Sequence, residues 1–339
     1  MKIALDAMGG DYAPAEIVKG AVEAVQNYEL EVILVGVVET IQAELAKYPP
    51  TDRIEIFPAS QVIGMNEHPA AAIRKKKDAS IVVATRLVKE NVAQAVVSAG
   101  STGAQMAAAL FGLGRLEGVD RPAIATVVPT PRGPKIILDM GANVDCRAKH
   151  LVQFAFLGSI YAEQVLKITR PQVALLNIGE EETKGNEAVV TAYQILKGSS
   201  LNFIGNVEGR ELFNTPADVI VCDGFVGNVV LKLTEGLAST LFGLLKEQFS
   251  RTWLTKLGAA LVLPGLKELK RQLDYTEYGG APLLGVDGVS IICHGSSQAK
   301  AIRHALRVAR ECVESSFVSV LKEQTPQIMN TGEETANDH

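Results

Sequence analysis

Short aliphatic runs, each bounded by Gly or Asp, recur along the chain at 2–5, 31–35, 53–57, 95–98, 123–128, 135–138, 172–177, 202–204, 218–221 and 289–292. Their length and β-branched content predict strands, and most lead through a turn into a helical pattern. Over 14–28, Pro14 occupies the first turn while Ile17, Val18, Ala21, Val22 and Val25 share one face, which predicts an amphipathic helix. Strand, turn and helix in alternation predict parallel pairing with crossover helices, hence an α/β fold.

Two stretches depart from that alternation. Leu254, Leu257 and Leu261 repeat at helical spacing, as do Leu266, Leu269 and Leu273 beyond a Pro264-Gly265 break, so a helical hairpin is expected over about 251–275. Its apolar tip, 258–265, is flanked by Lys256 and Lys267. The pattern suits shallow membrane contact through Leu257, Leu261, Val262 and Leu263, and equally a dimer interface or the cover of an acyl channel. After residue 322 the chain turns polar and loses periodicity, and no linker precedes that point. One domain over 1–322 and a disordered tail over 323–339 are expected.

Composition narrows the partners. With 47% hydrophobic residues in 339 the chain fills a sizeable core, and a net charge of -5 opposes nucleic acid as a partner. Cys146, Cys222, Cys293 and Cys312 are scattered without a CxxC pair, as in reduced cytoplasmic proteins. The N-terminus is too short and polar for a signal peptide, and the apolar run 257–266 is far below the roughly 20 residues of a membrane span.

In open α/β sheets, ligands sit where strands end and helices begin. Five such turns here are rich in Gly and small polar residues: 6–11 with Asp6, Gly9 and Gly10; 98–103 with Ser101, Thr102 and Gly103; 139–143 ending in Asn143; 223–228; and 294–297 with His294, Ser296 and Ser297. Glycine lets backbone N–H groups approach a ligand, and a helix start attracts an anion. Taken one at a time, each turn reads as a tight connection; five together favour phosphate or another anion. No GxxxxGK[ST] occurs, and no GxGxxG follows the first strand, which weakens ATP and NAD as ligands. Histidines are isolated, no metal-ligand spacing occurs, and GxSxG is absent. Cys146 sits at a helix start but has no histidine base nearby in sequence, and reads as a packing residue. Lys184, in the acidic loop after 172–177, reads as either a solvated loop lysine or a cation for phosphate or a developing oxyanion.

The segments DAMGGDYAP, SAGSTGA, DMGANVDC, LLNIGEEETKGNE, CDGFVGNVVLKLTEG, GAPLLGVDG and HGSSQAKAI, in that order, resemble the phosphate acyltransferases of bacterial phospholipid synthesis. The resemblance covers about residues 1–320. It implies a three-layer α/β/α fold with a mostly parallel sheet, related to isocitrate and isopropylmalate dehydrogenases and to phosphotransacetylases, in a homodimer. It also implies transfer of an acyl group from acyl carrier protein to inorganic phosphate without metal or organic cofactor, with a glycerol-3-phosphate acyltransferase downstream. Lys184 and Asn228 are the catalytic positions it points to. Acyl carrier protein is acidic, so Arg74, Lys75, Lys76 and Lys77, and Lys267, Lys270 and Arg271, become candidate docking residues, although a lysine run is ordinarily a solvated face. Two rivals stand beside this reading: a decarboxylating hydroxyacid dehydrogenase, opposed by the missing dinucleotide and metal motifs, and a membrane scaffold for acyl carrier protein, which leaves the five turns without a purpose.

Overall fold

Successive side chains of a strand point to opposite faces, so a strand that is apolar throughout has to be covered on both sides. The computed structural model describes residues 1–272 and 279–324, apart from the side chains of 267–272. In it, β1 (Lys2–Asp6), β2 (Glu31–Gly36), β3 (Ile54–Pro58), β4 (Ala95–Ser98), β5 (Ala123–Ile124), β11 (Ala281–Leu284) and β12 (Val289–Ile292) form one sheet, in the order β3-β2-β1-β4-β12-β11-β5. A second sheet runs β6-β7-β10-β8-β9, built from β6 (Thr126–Val128), β7 (Lys135–Leu138), β8 (Gln172–Asn177), β9 (Asn202–Glu208) and β10 (Val219–Val221). Pairing is parallel except where β5, β6 and β11 join.

The strand residues alternate between two cores. Ile3, Leu5, Leu34, Val97, Leu138, Val173, Val221 and Ile291 enter one apolar cluster, and Ala4, Ile33, Val96, Ile137, Ala174, Ile220 and Ile292 enter the other. Each cluster runs across both sheets. The first is covered by α1 (Ala15–Asn27), α2 (Val38–Leu45), α6 (Ala148–Gln164), α7 (Glu187–Lys197) and α10 (Ala299–Glu314), the second by α3 (Pro69–Lys75), α4 (Ser80–Lys89) and α5 (Thr102–Gly112). The result is a largely parallel α/β fold of three layers.

Three details differ from the sequence expectation. The run 123–128 is two strands, because the chain changes sheets at Ala125: its N–H donates to Pro282 O at 3.0 Å, while Ile124 O accepts from Met140 N at 3.0 Å. The strand β11 has no counterpart in the sequence pattern because Pro282 and the flanking glycines mask a four-residue run. The strand β9 extends to Glu208, past Gly205 at φ +101° and an irregularity in its pairing with β8.

The hairpin is also larger than expected. Its first arm is α8 (Gly224–Ser250), its second α9 (Trp253–Gln272), and the bend lies at Arg251 and Thr252. Pro264 sits inside α9 and does not end it, so Leu257, Leu261, Val262 and Leu263 lie along an arm, not at the bend. The α8 arm is not apparent in the sequence pattern because Val226, Val229 and Val230 blur its helical period. Leu273, and the polar tail from 325 on, fall outside the described residues.

One buried histidine makes folding sensitive to pH. His150, in the first turn of α6, is 1% exposed and its Nδ1 accepts from Arg147 N at 3.0 Å, so the neutral ring is the one that fits. Burial, reinforced by Arg121 and Arg147, lowers its pKa from 6.5 to about 4. The unfolded chain therefore takes up this proton first, and stability that is complete above pH 6.5 drains away as pH falls toward 4. Melting temperature measured across that interval should fall, with a shallower slope in His150→Gln. Identical slopes would assign the effect to another group.

Candidate functional site

Three adjacent strands of the first sheet, β1, β4 and β12, deliver the turns 6–11, 98–103 and 294–297 to one edge. The turns interlock: Asp11 N donates to Gly295 O at 2.8 Å, and a Cβ on Gly9 would stand 2.8 Å from Gly100 N. Gly10, at φ +110°, has Ala99 and Gly295 within 3.2 Å of where a side chain would start. Here glycine is a steric requirement. Asp6 is 3% exposed, and its carboxylate accepts from Ser98 Oγ at 2.7 Å and Met8 N at 3.2 Å. Ser98 Oγ in turn accepts from Gly100 N at 3.0 Å. Burial pushes the Asp6 carboxyl up, and hydrogen bonds from Ser80 and Ser98 oppose the shift. Its oxygens hold the turns together, and the Thr102 side chain stands exposed at the same edge. Ser101 also caps α5, accepting from Ala104 N at 3.4 Å.

The second sheet repeats the device. Asp139, 0% exposed, follows β7 and accepts at Oδ1 from Ile124 N and Ala142 N, each at 3.0 Å. Its Oδ2 accepts from Asn143 N at 2.6 Å and Asn143 Nδ2 at 2.8 Å. Asn143 Nδ2 also reaches Pro122 O at 2.8 Å, and Asn143 O accepts from Gly224 N at 2.7 Å. Asn143 is thus engaged by the protein itself and carries the base of α8. Asp223 caps that helix, accepting from Val226 N at 2.9 Å. One turn in, Gly227 lies against the backbone of Asp139, where a Cβ would fall 1.9 Å from the carbonyl oxygen. This close approach sets Asn228 beside Gly141, 3.6 Å from the point where a Cβ would start.

Lys184 leaves the neighbouring strand β8. Its carbonyl accepts from Asn177 Nδ2 at 2.8 Å and its N–H donates to Glu181 O at 3.1 Å, so the loop is closed on itself. Glu182 is drawn to Lys197 at 2.7 Å, and Lys184 Nζ has no ion pair or hydrogen bond among the described residues. Because β7, β10 and β8 are parallel neighbours, Asn143, Asn228 and Lys184 emerge at one edge. From α8, Lys232 crosses to the first sheet's turns: Nζ lies 3.3 Å from His294 Nε2, and His294 Nδ1 lies 2.7 Å from Ser296 Oγ. Ser297 is buried, its N–H donating to His294 O at 2.9 Å.

The remaining candidates divide. Lys76 is held by Glu67 at 2.6 Å and Val62 O at 2.8 Å, whereas Lys75 and Lys77 are exposed and Arg74 lies 5.5 Å over the Phe111 ring. This face adjoins the site, since Pro69 of α3 sits 2.7 Å from the Cβ position of Gly103. Lys267, Lys270 and Arg271 belong to α9, and their side chains lie outside the described residues. Leu257, Leu261, Val262 and Leu263 are exposed, Leu261 by 78%. Cys146 is pushed to about 11 by burial and Asp139, so its thiol stays protonated near neutral pH. Sequence reasoning missed Ser98, Lys232 and the holding role of Asp139. The signal was present: Asp6 ends a strand and Asp139 follows one, each ahead of a Gly turn, and Lys232 is four residues from Asn228.

Residues 1–320 match the family described as "Fatty acid synthesis protein". The chain is 60% identical over 328 residues to a phosphate acyltransferase of Desulfitobacterium hafniense (strain Y51), covering 96% of this chain and 98% of the relative. It is equally similar, with the same coverage, to a phosphate acyltransferase of Heliobacterium modesticaldum (strain ATCC 51547 / Ice1). Among solved structures, a phosphotransacetylase from Streptococcus pyogenes superposes with a TM-score of 0.65 at 16% identity, covering 93% of this chain and 94% of that one. A Staphylococcus aureus phosphotransacetylase gives 0.61 at 15% identity with the same coverage. At such identity these two speak for the fold. The match over residues 1–320 and the 60% relatives settle the lineage: this chain belongs to the fatty acid synthesis protein family, among its phosphate acyltransferases.

Proposed function

We infer that this protein is a phosphate acyltransferase that moves the acyl group of an acyl carrier protein thioester onto inorganic phosphate. The observation that carries the reading is near-full-length identity of 60% with phosphate acyltransferases. The geometry suits it. Phosphate is already ionised near neutral pH, so one of its oxygens can attack the thioester carbonyl without a Ser-His-Asp triad. The new C–O bond forms as the carbonyl becomes a tetrahedral oxyanion; collapse breaks the C–S bond, and the carrier's thiolate leaves to take a proton. The protein's part is to hold phosphate and carbonyl together and to stabilise the charge. Lys184, with no counterion among the described residues, and Asn228, at the base of α8, are the groups for this.

Acyl phosphate should form from purified protein, long-chain acyl-acyl carrier protein and phosphate, with no nucleotide added, as followed by mass spectrometry. A nicotinamide-dependent absorbance change in place of that product would point to a dehydrogenase.

Loss of one well-placed donor lowers turnover on the order of a hundredfold. Lys184→Ala should do so with an unchanged melting temperature, because an exposed loop lysine adds little to folding. Asn228→Ala should act in the same direction, and the double substitution should cost less than the product of the two if both serve one transition state. Near-normal turnover of Lys184→Ala at saturating substrates would make it a solvated loop residue.

The partners follow from the surfaces. The face carrying Arg74, Lys75, Lys77 and Phe111 has the sign and the aromatic anchor for an acidic carrier protein, beside the turn of Ser101 to Gly103. The helix α8 is long and apolar enough by composition to cross a membrane, but it holds Lys232, Glu235, Lys246 and Glu247, which suits lying at a surface. The exposed leucines of the two arms serve transient contact with an anionic membrane, where a downstream acyltransferase would consume acyl phosphate; the same surface serves a homodimer. Leu257→Glu with Leu261→Glu should release the protein from anionic vesicles in a sedimentation assay while activity on soluble substrates persists. Unchanged vesicle binding would place the contact elsewhere.

A further inference from the structure

Lys232 lies one turn beyond Asn228, and at a spacing of four residues the two share a face of α8. Asn228 meets the turn after β7, and Lys232 meets the turn after β12. One helix face therefore spans ligand-side turns of both sheets.

A lysine ammonium has three donors and no acceptor. Here one goes to Glu235 Oε2 at 3.0 Å, Nζ lies 3.3 Å from His294 Nε2, and the ammonium remains half-exposed, free to donate outward. On the far side of the ring, His294 Nδ1 accepts from Ser296 N at 3.2 Å and lies 2.7 Å from Ser296 Oγ. With the backbone N–H already on Nδ1, the Ser296 hydroxyl is held in place and can turn its hydrogen toward a ligand. Lys232, His294 and Ser296 thus bring an ammonium and a hydroxyl to the same turn.

We propose that Lys232 binds the phosphate substrate together with Ser296, whose backbone N–H and hydroxyl both meet His294 Nδ1, as a donor wall on the first sheet's side of the site. The identity of the anion rests on the transferase reading above; the wall itself rests on the geometry. Phosphate competes with Glu235 for the ammonium, and binding there ties α8 to the β12 turn.

The test separates phosphate from the acyl donor. In Lys232→Met the KM for phosphate should rise about tenfold or more, the size of a lost charge-assisted hydrogen bond. The KM for acyl-acyl carrier protein and the melting temperature should stay near wild type. Lys232→Arg should recover part of the loss. Ser296→Ala, which leaves α8 untouched, should raise the same KM, and the double variant should fall short of the product of the two effects. Inorganic phosphate alone should raise the wild-type melting temperature more than that of either variant, a readout that needs no turnover. Absence of acyl phosphate formation by the wild type, with the phosphate-dependent shift intact, would overturn the transferase reading and keep the anion site. An unchanged phosphate KM, or both KM values rising together with a fall in melting temperature, would make Lys232 a clip between α8 and the body and overturn the proposal.

Discussion

A carboxylate with no exposed oxygen sits where the two sheets meet, and the site is assembled around it. Asp139 receives four hydrogen bonds, from Ile124 in the first sheet and from Ala142 and Asn143 in its own turn. Burying a charge this way is unfavourable, and its carboxyl is pushed up accordingly; the N–H donors oppose that shift and keep the group serviceable as an acceptor. Because Asn143 also carries Gly224, and Gly227 rests on the Asp139 carbonyl, the direction of α8 is set here. Removing Asp139 would free the edge of β5, the turn after β7 and the root of the hairpin together.

Asp6 does the corresponding work in the first sheet through Ser98. In both sheets the negative group is turned inward, onto its own turn, where its oxygens are consumed by N–H and O–H donors. An anion approaching from outside then meets glycine backbone, hydroxyls and cations. This division explains how acidic residues can line the strand ends at the candidate site: they preorganise the donors and present little charge of their own.

The layers were legible because local pattern and tertiary role coincide. Runs such as 31–35 and 172–177 are apolar on both faces, as a covered parallel strand must be, and each appears as a strand. Where the outcome depended on distant contacts, local pattern fell short. Whether 123–128 stays in one sheet is decided by Pro282 and Met140, more than ten residues away in each case. Pro264 would end an isolated helix, yet α9 continues through it. The turns that bear the site were recognisable from Gly and small polar residues, but composition does not tell a residue that meets a ligand from one that holds the turn. Asp6 and Asn143 prove to have their polar atoms engaged internally, and Lys232 is drawn in by a histidine 62 residues later in the chain.

The helix α8 joins two environments by rigid backbone. At its root Asn228 and Lys232 face the turns of the site; farther out Leu233, Leu237, Leu241 and Leu244 form an exposed stripe at helical spacing, each at least 51% accessible. A continuous stripe of this kind is unfavourable in water and is relieved only by a covering surface, whether lipid or protein. At the root the packing is steric: a Cβ on Gly227 would meet the Asp139 carbonyl oxygen. The exposed stripe and the site-facing Asn228 and Lys232 therefore belong to one continuous helix, seated at its base where Gly227 leaves no room for a side chain.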